Sequence, residues 1–164
     1  MDRLWTPWRY QYVTKSSPVP VSGLSCIFCA KAEAVDDDAG LVVHRGDRNF
    51  VLLNLFPYTC GHLMIAPFEH VDSLAAAAHE TAAEMMDMAR RAEAVLRQVY
   101  RCPGINLGMN LGECAGAGVA GHIHLHVVPR WPGDANFMTT TAETRVLPED
   151  LATTLQRVRA GWRA

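Results

Sequence analysis

The chain has 164 residues, enough for one hydrophobic core of its own, and its 49% apolar and 20% charged residues are ordinary for a globular domain. A net charge of −2 supplies no general basic field for nucleic acid, and no apolar run approaches the roughly 20 residues needed to span a membrane. The first residues lack the apolar core of a secretory signal, and five cysteines at these spacings form no secreted disulfide framework, so the expected compartment is the cytoplasm.

Taken in order, residues 4–13 carry Trp5, Trp8, Tyr10 and Tyr12 beside Pro7 and Arg9. That density of aromatic side chains predicts a segment packing over the core or a second copy; lining a nucleotide pocket is the alternative. Residues 14–24, rich in proline and serine, read as an extended connector. Cys26-Ile27-Phe28-Cys29 reads as half of a tetrahedral metal site, zinc before iron, because a redox Cys-x-x-Cys is expected at a helix start beside a βαβ pattern that this region lacks; two buried thiols without metal are the alternative. Two further nitrogen or sulfur ligands are then required. Asp36-Asp37-Asp38 reads as a solvated loop.

Leu41–His44 and Phe50–Asn54 read as two strands joined by the polar turn at 45–48, and His62–Pro67 as a third after the turn at 57–61. A long helix is expected from Asp72, with Asp72 or Ser73 as its cap, to about Tyr100. Its buried stripe would be Leu74, Thr81, Met85, Met88, Ala92, Val95 and Val99. Ile105–Asn110 alternates as a strand and enters a glycine-rich loop, 111–121, whose exposed N–H groups can wrap an anion. Near the end, Pro148 is placed in the first turn of a helix whose stripe is Leu151, Leu155, Val158 and Trp162.

The loop feeds directly into His122-Ile123-His124-Leu125-His126-Val127-Val128. Successive side chains of a strand point to opposite faces, so the three imidazoles share one face and the apolar set lines the other. This stretch resembles the signature of the histidine triad (HIT) family of nucleotide-processing enzymes, His-φ-His-φ-His-φ-φ with φ hydrophobic, at all seven positions. The likeness runs from about Leu4 to Phe137. It includes the Trp-x-Pro-Trp-Arg start, the run Pro57 to Pro67, and Pro129-Arg130-Trp131-Pro132-Gly133-Asp134-Ala135-Asn136-Phe137, which resembles the branch acting on diadenosine tetraphosphate.

The resemblance implies an α+β, HIT-like fold: a five-stranded antiparallel sheet with one long helix and a C-terminal helix. The whole chain, 1–164, would be a single domain with an N-terminal extension (1–24) and a terminal helix (146–164), assembled as a homodimer without nucleic-acid or membrane partners. The substrate implied is an adenine nucleotide of the adenosine polyphosphate type, cleaved through a nucleotidyl-histidine intermediate. His124 would be the nucleophile, His126 a donor to phosphate oxygens, and His122 part of the triad fixed by metal. His70 and His122 would complete a structural zinc site with Cys26 and Cys29. Asn54 would bind ribose, Asn110 and the loop at Gly116, Gly118 and Val119 the α-phosphate, and Trp131 would wall the nucleotide site. His62 reads as a core or dimer-interface histidine. Many family members carry Gln or Ser in the loop where Ala117, Gly118 and Val119 stand here, which leaves the proton donor to the leaving group unassigned. The alternatives are a non-catalytic purine-nucleotide-binding module and a nucleoside phosphoramidate hydrolase. Repair of adenylated DNA would need a basic surface that the composition does not supply.

Overall fold

The computed structural model describes residues 26–134 and 148–164. The aromatic start at 4–13, the connector at 14–24 and the segment Ala135 to Phe137 lie outside the described residues.

Five strands, β1 (Val42–Arg45), β2 (Asn49–Leu53), β3 (Leu63–Pro67), β4 (Gly104–Met109) and β5 (Leu125–Arg130), form one sheet in the order β1-β2-β3-β5-β4, every pairing antiparallel. The expected sheet is therefore present. Apart from Asn49, β2 and β3 are continuous apolar runs because both their faces are covered, every residue of each being buried. One face carries α3 (His79–Tyr100) and α4 (Leu151–Arg163), which pack on Val51, Ile65, Leu125 and Val127 through Met85, Ala92, Leu96, Leu155 and Trp162. A fully buried Leu or Ile contributes roughly 1.5–3 kcal/mol, so this layer dominates the stability of the domain. The other face is covered over β1–β3 by Phe28 of α1 (Ile27–Glu33), which packs with Phe50, Leu52 and Met64.

Three local expectations are corrected. The long helix begins at His79, not Asp72; Ser73 caps only an isolated turn, its hydroxyl accepting from the Ala76 N–H. Leu74 is exposed, and Ala75–Ala78 offer no large side chain to hold a first turn against the sheet, so helix propensity alone does not nucleate it. The terminal helix begins at Leu151, because Asp150 accepts the Thr153 N–H and sets the cap there, leaving Pro148 outside. The acidic run is not merely solvated. Asp36 accepts from the N–H groups of Asp38 and Ala39 to start a one-turn helix, α2 (Asp37–Gly40), while Asp37 pairs with Arg45 and Asp38 with Arg159.

The turn before β3 depends on Gly61. Its φ of +77° is unfavourable for other residues, and a Cβ there would meet the Tyr100 ring at 2.9 Å. That turn delivers His62 to the start of β3. Among the described residues, no helix is long and apolar enough to cross a membrane.

Candidate functional site

Pairing register places Val42, Leu52, Met64, His126 and Gly108 in one row across the sheet, on the face away from the long helix. The β5 ladder starts only at Leu125, so His122 and His124 precede it and His126 lies within it. The alternation nevertheless extends through all three. Ile123, Leu125 and Val127 enter the helix-side core, and the imidazoles collect on the opposite side.

Each ring is oriented by a specific partner. His122 is fully buried; its Nε2 donates to the Pro67 carbonyl (2.9 Å), which leaves Nδ1 unprotonated beside Cys26 Sγ (3.3 Å) and Cys29 Sγ (3.6 Å). His124 Nδ1 donates to the His122 carbonyl (2.9 Å), so its Nε2 carries the lone pair. With one face on Phe28 (4.7 Å between centroids) and 5% exposure, the Nε2 edge is the reactive part of His124 not engaged by these contacts.

His126 reveals a residue that sequence reasoning placed only in the core or an interface. His62 is 1% exposed, and its Nε2 lies 2.9 Å from His126 Nδ1. Because the Tyr58 N–H donates to His62 Nδ1 (3.1 Å), the His62 proton sits on Nε2 and is donated to His126 Nδ1. The neutral His126 ring therefore carries its own proton on Nε2. The available signal was a histidine immediately before a strand that pairs with the triad strand. Register alone makes that useful, and no single sequence displays register.

Burial, followed by the neighbouring His124, holds His126 below the ordinary histidine value of 6.5; burial and then Arg91 do the same to His44. A depressed folded-state value means the unfolded chain takes up protons first. The stabilisation is complete above about pH 6.5 and is lost as pH falls through that value towards the folded one. Melting temperature is expected to be level from pH 7 to 8 and to decline between pH 6.5 and 5. A midpoint that rises on acidification would contradict this.

The four proposed metal-ligating side chains do converge. Cys26, Cys29, His70 and His122 offer ligand atoms all within 4.8 Å of one another, with His70 Nδ1 3.3 Å from Cys29 Sγ. A tetrahedral zinc with bonds of about 2.0–2.3 Å separates its ligands by roughly 3.3–3.8 Å, close to the spacings found. Donor type fits as well, with two thiols and two imidazoles whose Nδ1 atoms face them, that of His122 being unprotonated. Burial and then Cys26 raise the Cys29 thiol, so metal binding must displace a proton and will weaken in acid.

The remaining candidates divide. Asn54 follows β2 and lies beside His62, its Nδ2 3.4 Å from Nδ1, while its Oδ1 accepts the Phe56 N–H. Asn110 donates to the Gly116 carbonyl (3.1 Å), pinning the glycine loop near the triad; Gly116 has φ +91°, and at Gly118 a Cβ would meet only open space. Val119 packs against the Phe28 cluster. Trp131 is corrected: it lies edge-on to Tyr100 at 6.4 Å and packs against the helix-side core. Strand alternation turns Trp131 to the opposite face from His126 and Arg130, so in this protomer it supports the helical layer and does not wall the site.

Comparison with known proteins agrees with this geometry. A family model described as HIT domain matches residues 37–133. The chain is 39% identical to the Mycobacterium tuberculosis protein named AP-4-A phosphorylase, over 99% of this chain and 85% of that one. It is 26% identical to Bacillus subtilis Protein hit, over 77% and 87% of the respective lengths. Among solved structures, a zinc-bound histidine triad family protein from Mycobacterium smegmatis superposes with TM-score 0.68 at 30% identity, covering 85% of this chain and 94% of that one.

Proposed function

The chain belongs to the HIT family, and from that premise we propose that it is a nucleotidyl transferase or hydrolase acting on adenosine polyphosphates, diadenosine tetraphosphate above all. The observation that carries this reading is the bond from His124 Nδ1 to the His122 carbonyl, which leaves an unprotonated Nε2 next to a ring that presents an N–H.

In the first step the His124 Nε2 lone pair forms a bond to the α-phosphorus. The bond to the bridging oxygen breaks, and its electron pair departs with the nucleoside polyphosphate. His126 Nε2–H donates to a phosphoryl oxygen as charge accumulates there, and Asn110 with the N–H groups near Gly116, Gly118 and Val119 holds the same phosphate. In the second step an oxygen of water or orthophosphate attacks phosphorus and loses its proton to solvent, while the P–N electron pair returns to Nε2. A polyphosphate leaving group needs no proton near neutral pH. Ala117, Gly118 and Val119 supply no side-chain donor, which favours this substrate over a phosphoramidate. Asn54 would hold the ribose.

Zinc in the Cys26, Cys29, His70, His122 site would supply structural cross-linking, since four protein ligands leave no open position. Leu107 on the edge strand β4 is 47% exposed, and a second copy covering that edge would make the homodimer. Residues 1–164 would form one domain, cytoplasmic because its metal-ligating thiols must stay reduced.

Diadenosine tetraphosphate incubated with and without orthophosphate tests the reading. Phosphate-dependent ADP plus ATP means phosphorolysis, phosphate-independent AMP plus ATP means hydrolysis, and no turnover in either case rejects both. His62→Phe removes the donor that fixes the His126 tautomer. A fall in kcat/KM of about 10–100-fold is expected, together with an altered acid limb of the pH profile; an unchanged profile would remove His62 from the site.

A further inference from the structure

Beyond His126 the histidine face continues as an open groove of about 320 Å³, bounded by Tyr58, Asn106, Gly108, Val128 and Arg130. α1 covers this face over β1–β3, but the groove runs over β5 and β4. One wall is the loop after β2. There the Thr59 hydroxyl donates to the Pro129 carbonyl (2.8 Å), and the Tyr58 ring lies nearly parallel to His126 at 6.1 Å. Gly108 pairs directly with His126, and a Cβ built there would meet nothing within 4 Å. Among the described residues, the space beside the triad is therefore left by an absent side chain.

Arg130 stands at the far end. Its Nε and Nη2 donate to the two carboxylate oxygens of Asp134 (2.6 and 2.8 Å), and its Nη1 donates to Asn106 Oδ1 (2.7 Å). A guanidinium has five N–H donors; three are engaged in these bonds, and among the described residues no further partner lies on the other two. Asp134 cancels the net charge of the arginine while fixing its plane, so selection here works through directed N–H groups more than through a broad positive field. From His126 to Arg130 the strand advances four residues, about 13 Å, the reach of a short polyphosphate chain.

We propose that this groove receives the leaving half of the substrate, with the distal phosphates of a nucleoside polyphosphate lying over Gly108 and Val128 and ending on the Arg130 guanidinium. The proposal rests on the reading of the triad as an adenylyl-transfer site. It assigns Arg130, Asn106 and Gly108 to choosing what is attached to the adenylyl group, a property distinct from cleaving it.

Two substrates that share the adenylyl group separate these properties: diadenosine tetraphosphate, and the p-nitrophenyl ester of AMP, whose small leaving group does not reach the groove. The quantity read is the ratio of their kcat/KM values. R130Q removes the charged guanidinium fork at the end of the groove, leaving a shorter neutral amide, and G108V adds a side chain to its floor, where a Cβ meets nothing within 4 Å. In each variant the ratio is expected to fall roughly tenfold, the scale of one charge-assisted hydrogen bond. Ratios within about twofold of the parent protein in both variants would overturn the proposal. If the parent protein cleaves neither substrate, the adenylyl-transfer reading fails. Titration with adenosine tetraphosphate and with AMP then tests the groove by itself: tighter binding of the tetraphosphate that R130Q erases supports it, and equal affinities overturn it.

Discussion

His124→Ala is expected to lower turnover of diadenosine tetraphosphate on the order of 10⁴-fold or more, because it removes the atom that takes the adenylyl group. Its neighbours are not equivalent substitutes. His122 Nε2 is committed to the Pro67 carbonyl and its Nδ1 faces two thiols, while His126 Nδ1 accepts from His62 and its Nε2 holds a proton. Of the three triad histidines, His124 alone combines a bare Nε2 with a partner that keeps it bare. Rapid quenching of the parent protein with labelled substrate should trap one adenylyl group per chain through a bond that is labile to acid, and the variant should trap none. AMP affinity should change by no more than about threefold, since a transition-state role leaves ground-state binding nearly intact. An adduct that survives the substitution would move the nucleophile elsewhere. A parent protein that binds AMP yet neither turns over nor forms an adduct would instead be a nucleotide-binding module.

Stripping the metal, or replacing both Cys26 and Cys29 with Ser, is expected to damage stability and catalysis together. Structural zinc binding is worth about 10–16 kcal/mol, as large as the roughly 5–15 kcal/mol net stability of a whole domain. Even a third of that, at about 2–4 °C per kcal/mol for a domain of this size, lowers the melting temperature by about 7–20 °C. The catalytic consequence follows from two consecutive bonds. The site holds His122, and the His122 carbonyl holds the Nδ1 proton of His124. Loss of the site frees that carbonyl to move and releases the tautomer. Metal content, melting temperature and adduct formation should therefore fall in step during chelation and recover on adding zinc. A metal-free protein with the parent melting temperature would remove the structural role; full adduct formation in that state would break the link to His124.

These expectations draw unequally on sequence and on fold. Period-two alternation from His122 to Val127 is a property of adjacent residues, so the shared face of the imidazoles and the burial of Ile123, Leu125 and Val127 were legible directly. The half-site at Cys26 and Cys29 was equally local. Its completion by His70 and His122 came from family resemblance, and the structure brings the four together across sequence separations of 41 to 96 residues. That Phe50–Asn54 and His62–Pro67 are strands was legible locally, while their burial on both faces came from the structure.

Tertiary structure decided what depends on register and on competition between nearby groups. The four alanines before His79 have helix propensity but nothing to bury, so the helix waits for Thr81 and Met85 to meet the sheet. Trp131 belonged to a matching motif, yet its odd position relative to Arg130 turned it to the helix side. His62 became the partner of His126 because β3 pairs with β5 two residues out of line with both histidines, Met64 facing His126. The open floor beside His126 exists because β4 presents Gly108 at that rung. Local pattern fixes which side of its own strand a side chain takes; which group it meets there is set by pairing partners far away in the chain, and those are chosen only when the sheet closes.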